Sequence, residues 1–367
     1  MDLLTLTLKD GTSLTGKAFG ALKESEGETV FTTGMVGYPE SLTDPSFKDQ
    51  ILVLSFPLIG NYGVPNEALD ENKISRYFES NRIHLRGLIV SDYSEVYSHW
   101  NAGKSLGGWL REYDIPGISG IDTRALTQLL RDKGSQLGKI HPAGAKISND
   151  FYDPNKENLV ARVSTQKIER YGFEGDTVDK KKRVAILDTG MKLNILRSLL
   201  ARGLKVTLFP WNANPFAPEN EKFGPFDGVL FSNGPGDPEN LPETVAIMKE
   251  CFKRKIPTFG ICLGNQIMGL AAGARTKKLK YGHRGQNQPC VETRTGRCFI
   301  TSQNHGYIVD GELLPKEWEV SFVNANDGTV EGLRHKTLPF FSVQFHPEAC
   351  PGPTDTAFLF DEFVKLL

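Results

Sequence analysis

Leucines recur at every second position in Leu4-Thr5-Leu6-Thr7-Leu8, the period of a half-buried strand, and the run ends at Asp10-Gly11. With Leu14 to Phe19 beyond the turn, this predicts a hairpin. Ile51 to Phe56 and Leu88 to Ser91 are continuous apolar runs of buried-strand length. Helical patterns cover Leu106 to Tyr113 and Thr123 to Lys133, the second with Asp122 placed to cap it. Short strands among Gly and Pro turns, without regular strand-helix alternation, make residues 1–150 an α+β domain.

From 151 to 182 the pattern loses its period and ends in the charged run Asp179-Lys180-Lys181-Lys182-Arg183, as expected of a linker. Beyond Arg183 the rhythm becomes strand, helix, strand. Val184 to Leu187 is followed by a helix around Asn194 to Arg202, then Val206 to Pro210 and Gly228 to Phe231. The helix Glu243 to Arg254 leads to the apolar Pro257 to Cys262, and Thr354 to Leu367 presents Phe358, Leu359, Phe363 and Leu366 on one face. The expected fold of 183–367 is α/β, a doubly wound, mostly parallel sheet.

The 367 residues suit two domains at about 150 residues each. Lys+Arg 43 against Asp+Glu 44 leaves a net charge of −1, with no basic excess for a nucleic-acid backbone. Apolar runs are far shorter than the ~18 residues a membrane helix needs. The N-terminus lacks the charged and apolar regions of a secretory signal. Five cysteines without CxxC spacing fit reduced thiols better than disulfides or zinc, so a soluble cytoplasmic protein is expected, with no metal.

Chemistry concentrates in four motifs. Gly260-Ile261-Cys262-Leu263-Gly264, running straight into a helix-compatible segment, has the form of a nucleophile elbow, in which small residues flank a strained, closely packed turn. The positive end of the following helix favours a thiolate and offers backbone N–H groups to an oxyanion. By itself the pentapeptide fits a buried structural cysteine equally well. Phe345-His346-Pro347-Glu348 follows the strand-like Phe340 to Gln344, and its spacing lets His346 and Glu348 project to one side, as imidazole base and orienting carboxylate. Ser232-Asn233-Gly234-Pro235-Gly236-Asp237-Pro238 is a loop whose backbone can approach a ligand closely, without a phosphate-binding continuation. Gln303-Asn304-His305-Gly306-Tyr307 is a polar patch suited to an amino-acid zwitterion, or a turn.

Together, GICLG, FHPE and SNGPGDP resemble the class I, or triad-type, glutamine amidotransferase domain over roughly residues 183 to 367, a flavodoxin-like core. Gly34-Met35-Val36-Gly37-Tyr38-Pro39-Glu40-Ser41-Leu42-Thr43-Asp44-Pro45-Ser46, Gly60-Asn61-Tyr62-Gly63 and Gly120-Ile121-Asp122-Thr123-Arg124 resemble the small subunit of carbamoyl-phosphate synthetase. The resemblance implies a glutaminase that passes ammonia to a large subunit, where ATP, Mg and bicarbonate give carbamoyl phosphate for arginine and pyrimidine synthesis; no cofactor is expected in this chain. It implies Cys262 as nucleophile, His346 as general base and Glu348 as its orienting carboxylate. It further implies Gly234 and Leu263 as the oxyanion hole, and Ser46, Gly234, Gly236, Leu263, Gln266, Asn304, Gly306 and Tyr307 as the glutamine-binding residues.

Two positions depart from the family pattern: Asn265 stands where His is usual, and Tyr307 where Phe is usual. A regulatory pseudo-glutaminase is a rival reading, opposed by the presence of both Cys262 and His346. Another class I amidotransferase is a second rival, opposed by the N-terminal motifs. The end at Leu366-Leu367, after the last helix, suggests a free-standing bacterial-type subunit.

Overall fold

The computed structural model describes residues 2–173 and 181–367. Their contacts divide into two units, one of residues 1–69, 75–157 and 280–285, the other of 70–74, 158–279 and 286–367. Residues 151–157 thus group with the first unit and 158–173 with the second, where the sequence suggested a linker over 151–182. That stretch carries short 3-10 turns at Pro154–Lys156 and Val160–Arg162 and the strand β8 (Glu169–Tyr171). Asp179 and Lys180 of the basic run lie outside the described residues.

In the first unit, seven strands close into a barrel: β1 (Leu3–Leu8), β2 (Ser13–Ala18), β3 (Ser25–Thr32), β4 (Gln50–Leu54), β5 (Gly87–Ile89), β6 (Gly117–Ser119) and β7 (Gln136–Pro142). Their order around the barrel is β1-β7-β3-β4-β5-β6-β2, and β2 closes the ring on β1 as the predicted hairpin, with Leu6 opposite Leu14. The strands β3, β4, β5 and β6 run parallel to one another. Period-2 alternation sends Ile51 and Val53 of β4 into one cluster, with Leu4, Leu6, Leu8 and Leu126 and Leu130 of α3 (Thr123–Lys133). Leu52 and Leu54 enter the other, with Tyr38 and Leu42 of α1 (Tyr38–Thr43) and Leu106, Trp109 and Leu110 of α2 (Leu106–Glu112). Asp122 caps α3 by accepting from the Ala125 N–H at 2.8 Å.

The second unit is built on a ten-stranded sheet. Its members besides β8 are β9 (Arg183–Asp188), β10 (Lys205–Pro210), β11 (Gly228–Phe231), β12 (Thr258–Ile261), β13 (Thr276–Glu292), β14 (Cys298–Val309), β15 (Trp318–Asn324), β16 (Val330–His335) and β17 (Phe340–Val343). The order is β8-β10-β9-β11-β12-β17-β16-β15-β13-β14, and the five strands from β10 to β17 are mutually parallel. On the far side the sheet continues antiparallel through β16 and β15 to β13. The doubly wound expectation therefore holds for the half that carries the elbow. The antiparallel half extends it: β13 and β14 are long, partly polar strands, and the Gln303 to Tyr307 patch is part of β14, not a turn.

Helices cover both faces of the parallel part. Val184 and Ile186 of β9 pack with Ile195, Leu196 and Leu199 of α4 (Leu193–Leu200) and Leu359, Phe360 and Phe363 of α7 (Phe358–Leu366). Ala185 and Leu187 face the other way, toward Ile247 and Met248 of α5 (Pro242–Arg254) and Ile267 and Met268 of α6 (Leu263–Ala272). Burial on both faces is what makes these strands near-continuous apolar runs. Each fully buried Phe of α7 contributes roughly 1.5–3 kcal/mol.

Candidate active site

The site forms at the carboxyl ends of the parallel strands, beside the point where the chain winds from β9 to opposite sides of the sheet. The loops leaving β9 and β11 are tied together there: the Thr189 N–H donates to Ser232 Oγ at 3.0 Å, and the Lys192 N–H to Asn233 Oδ1 at 2.9 Å. Asp188, buried under the same turn, accepts from the N–H groups of Gly190 and Met191 at 2.9 and 2.8 Å.

Cys262 stands between β12 and α6 with φ 54° and ψ −100°, a backbone conformation that a non-glycine residue adopts only when its surroundings impose it. Its N–H donates to Val343 O of β17 at 2.8 Å, while its carbonyl already accepts from Asn265 and Gln266 N–H groups of α6. The flanking glycines explain the motif sterically. A Cβ on Gly260 would lie 2.5 Å from Gly264 O, and one on Gly264 would lie 2.2 Å from Phe231 O. Only bare backbone lets strand, turn and helix approach this closely, so the strain at Cys262 is held by packing.

The Cys262 thiol lies 3.8 Å from Asn304 O of β14, and its sulfur 3.7 Å from Gln344 Nε2. His346 Nδ1 is 2.6 Å from Glu348 Oε1. That contact leaves Nε2, which has no hydrogen-bond partner among the described residues, as the nitrogen available to the sulfur. Burial pushes the His346 imidazole down, but the Glu348 carboxylate and the Cys262 sulfur together outweigh it and hold His346 above its ordinary value. For Glu348, burial pushes upward, and Lys192 and His346 reverse it and hold the carboxylate below its ordinary value.

Nothing in the sequence marks Lys192. Its side chain is only 3% exposed, and its Nζ lies 3.2 Å from Glu348 Oε1 while also donating to Ala349 O. Asn194 Nδ2 donates to Glu348 O. The start of α4 therefore clamps the loop that carries Glu348. A lysine just before an amphipathic helix gives no sign of burial; the signal that could have found it is the need of a buried carboxylate for a cation.

Of the other expected residues, Leu263 occupies the first turn of α6, where an N–H has no intrahelical acceptor. A Cβ on Gly234 would fall 1.9 Å from Thr189 O and 2.8 Å from Leu263 Cδ2, which puts the Gly234 backbone beside the elbow. Gln266 reaches Tyr307 O with its Nε2 at 2.9 Å. Asn304, Gly306 and Tyr307 all belong to β14, and the Asn304 and Tyr307 carbonyls join that strand to Cys262 and Gln266. Gly236, with φ +88°, lies beside Leu159 instead. Ser46 belongs to the first unit, in the turn Pro45–Phe47, where its N–H donates to Asp44 Oδ1 at 2.9 Å.

Residues 185–366 match the sequence model for glutamine amidotransferase class-I, and residues 6–140 that for the carbamoyl-phosphate synthase small chain, CPSase domain. The chain is 49% identical over 365 residues to the carbamoyl phosphate synthase arginine-specific small chain of Aspergillus niger, covering 98% of this chain and 79% of that one. It is 48% identical to the multifunctional protein URA2 of Saccharomyces cerevisiae, covering 99% of this chain but only 17% of that protein. Among solved structures, a glutamine amidotransferase from Thermotoga maritima is similar at 18% identity and a TM-score of 0.38, over 47% of this chain and 77% of that one. The chain belongs to the carbamoyl-phosphate synthase small-chain family, with a class-I glutamine amidotransferase domain following its characteristic N-terminal domain.

Proposed function

We propose that this chain is the glutamine-hydrolysing subunit of a carbamoyl-phosphate synthase, releasing ammonia from L-glutamine for a large subunit that consumes ATP and bicarbonate. Family membership supports the overall activity. The observation that carries the mechanism is the 2.6 Å His346–Glu348 contact, which leaves His346 Nε2 for a cysteine held in a strained elbow.

In this reading the Cys262 thiolate attacks the side-chain amide carbon of glutamine. The carbonyl oxygen takes up negative charge and is met by the N–H groups of Leu263 and Gly234. His346, already the proton carrier, protonates the departing ammonia and leaves a glutamyl thioester. The neutral imidazole then takes a proton from water, hydroxide adds to the thioester carbon, and glutamate leaves as the thiolate re-forms. Glu348 fixes the ring and its tautomer throughout, with Lys192 balancing the carboxylate's charge. Gln266, Asn304, Gly306, Tyr307 and the loop bearing Gly234 and Gly236 supply the polar surface for the substrate. Ammonia released into water would be protonated and lost as a nucleophile, so efficient coupling requires its transfer to the partner under cover. Five cysteines without CxxC spacing favour a reducing compartment such as the cytoplasm.

The test is Cys262→Ala in the complex with the large subunit. Glutamine-dependent carbamoyl-phosphate synthesis should be lost while synthesis from added ammonia continues. Retention of glutamine-dependent turnover would overturn the assignment.

A further inference from the structure

The parallel register of β12 and β17 pairs Ile261 with Val343, so the next residues, Cys262 and Gln344, lie side by side. Gln344 is completely buried and belongs to none of the expected site residues. Its surroundings leave its amide only one orientation. Tyr307 O can only accept, so the group of Gln266 that meets it at 2.9 Å must be the NH2. That same nitrogen lies 3.3 Å from the Gln344 side chain, whose facing atom must therefore be Oε1. Asn265 Nδ2 donates to the same oxygen at 3.1 Å, and the Ser342 hydroxyl holds Asn265 from behind by donating to its Oδ1 at 2.8 Å. Turning the Gln344 amide over would set its NH2 against the NH2 of Gln266, which Tyr307 O holds in place in a buried site, so its own N–H points at the sulfur, 3.7 Å away.

We infer that Gln344 holds the Cys262 sulfur in its thiolate form through a side-chain N–H···S hydrogen bond, and that Asn265 and Gln266 are positioning residues that fix the direction of that donor. The inference rests on the reading of Cys262 as the nucleophile. A sulfur accepting an N–H is favoured as the anion, whereas the neutral thiol gains little from a donor. The same bond meets the sulfur again when it leaves the thioester carrying charge. It also gives Asn265 a role, since a side chain with both an acceptor for Ser342 and a donor for Gln344 is what this position uses.

His346, on the loop after β17, is the charged group that faces the sulfur, with Glu348 on the same loop and Lys192 at the start of α4 behind it. The Gln344 amide adds a donor without adding a charge, so replacing it leaves that ion array in place. The experiment is thiolate absorbance near 240 nm across pH on the full chain, read for each protein as the difference from the same protein carrying Cys262→Ser. For Gln344→Met, which keeps the volume and removes the amide, the midpoint of thiolate appearance should move up by about one pH unit, a tenfold loss of thiolate below it. A folded Gln344→Met protein with the wild-type midpoint would overturn the inference. Should that variant fail to fold, Asn265→Ala, which loosens the amide while leaving Gln266 in place, should move the midpoint the same way by a smaller amount; an unmoved midpoint there overturns it equally. A wild-type complex that releases no glutamate from glutamine would instead count against the glutaminase reading, and the titration distinguishes the two failures.

Discussion

Lys192 Nζ and His346 Nδ1 share one oxygen of Glu348, at 3.2 and 2.6 Å, so the carboxylate that orients the imidazole is itself held by a buried cation. Removing Lys192 would leave the carboxylate with the imidazole alone in a dry site. Lys192→Met should destabilise the chain by about 3–5 kcal/mol, the cost of breaking a buried pair. In the assembled enzyme kcat for glutamine hydrolysis should fall about tenfold or more, with KM changing less. Thermal unfolding and steady-state kinetics read the two effects.

The pair also sets a pH window. Glu348 is held below its ordinary 4.5, so its contribution to stability is present above pH 4.5 and is lost as the pH falls through the depressed value. His346 is held above its ordinary 6.5, so its contribution is complete below pH 6.5 and is lost as the pH rises through the raised value. The stability difference between wild type and Glu348→Gln should therefore be greatest between pH 4.5 and 6.5 and narrow on either side. Denaturant unfolding at a series of pH values checks this, and a difference independent of pH would contradict it.

Gly234→Ala should act on the oxyanion rather than on the thiol. The new Cβ meets the backbone oxygen of Thr189 at 1.9 Å, and neither atom can swing aside alone, so the loop must move and carry the Gly234 N–H away from the elbow. A fall in kcat of about 10²–10³ is expected, the loss seen when one oxyanion donor is removed. Thiolate absorbance from Cys262 should be nearly unchanged, which separates this variant from those at Gln344.

The remaining cysteines should sort by burial. Cys251 is fully buried in α5, and burial pushes its thiol up to about 12. Cys290 is buried and likewise raised, whereas Cys298 is exposed. Under native conditions a thiol reagent should modify Cys298 well before Cys251 or Cys290, with denaturation releasing the last two; peptide mapping gives the order.

Where sequence and structure agree, the cause is local. The β1–β2 hairpin, the capped α3 and the strand-elbow-helix around Cys262 are each specified by residues close together in the chain: alternating leucines, Asp122, and a cysteine between spaced glycines. The barrel was not legible because its closure depends on distant pairs such as Glu28 with Gln50 and Gly117 with Leu88, the latter between three-residue strands that carry almost no periodic signal. The antiparallel half of the second sheet was missed because β13 and β14 mix polar and apolar positions along their length. In the site, Cys262, His346 and Glu348 were readable because their spacing is itself chemical. Lys192 and Gln344 were not, because a buried lysine and a core glutamine acquire meaning only from the partners that the fold brings to them.

A glutamine pocket around an activated Cys262 can be read by incubating the chain with a diazoketone analogue of glutamine and mapping the adduct by mass spectrometry, with and without excess glutamine and with and without the large subunit. One adduct is expected, on Cys262, suppressed by glutamine. No adduct on Cys262 even with the large subunit present, or labelling that glutamine does not protect, would contradict it.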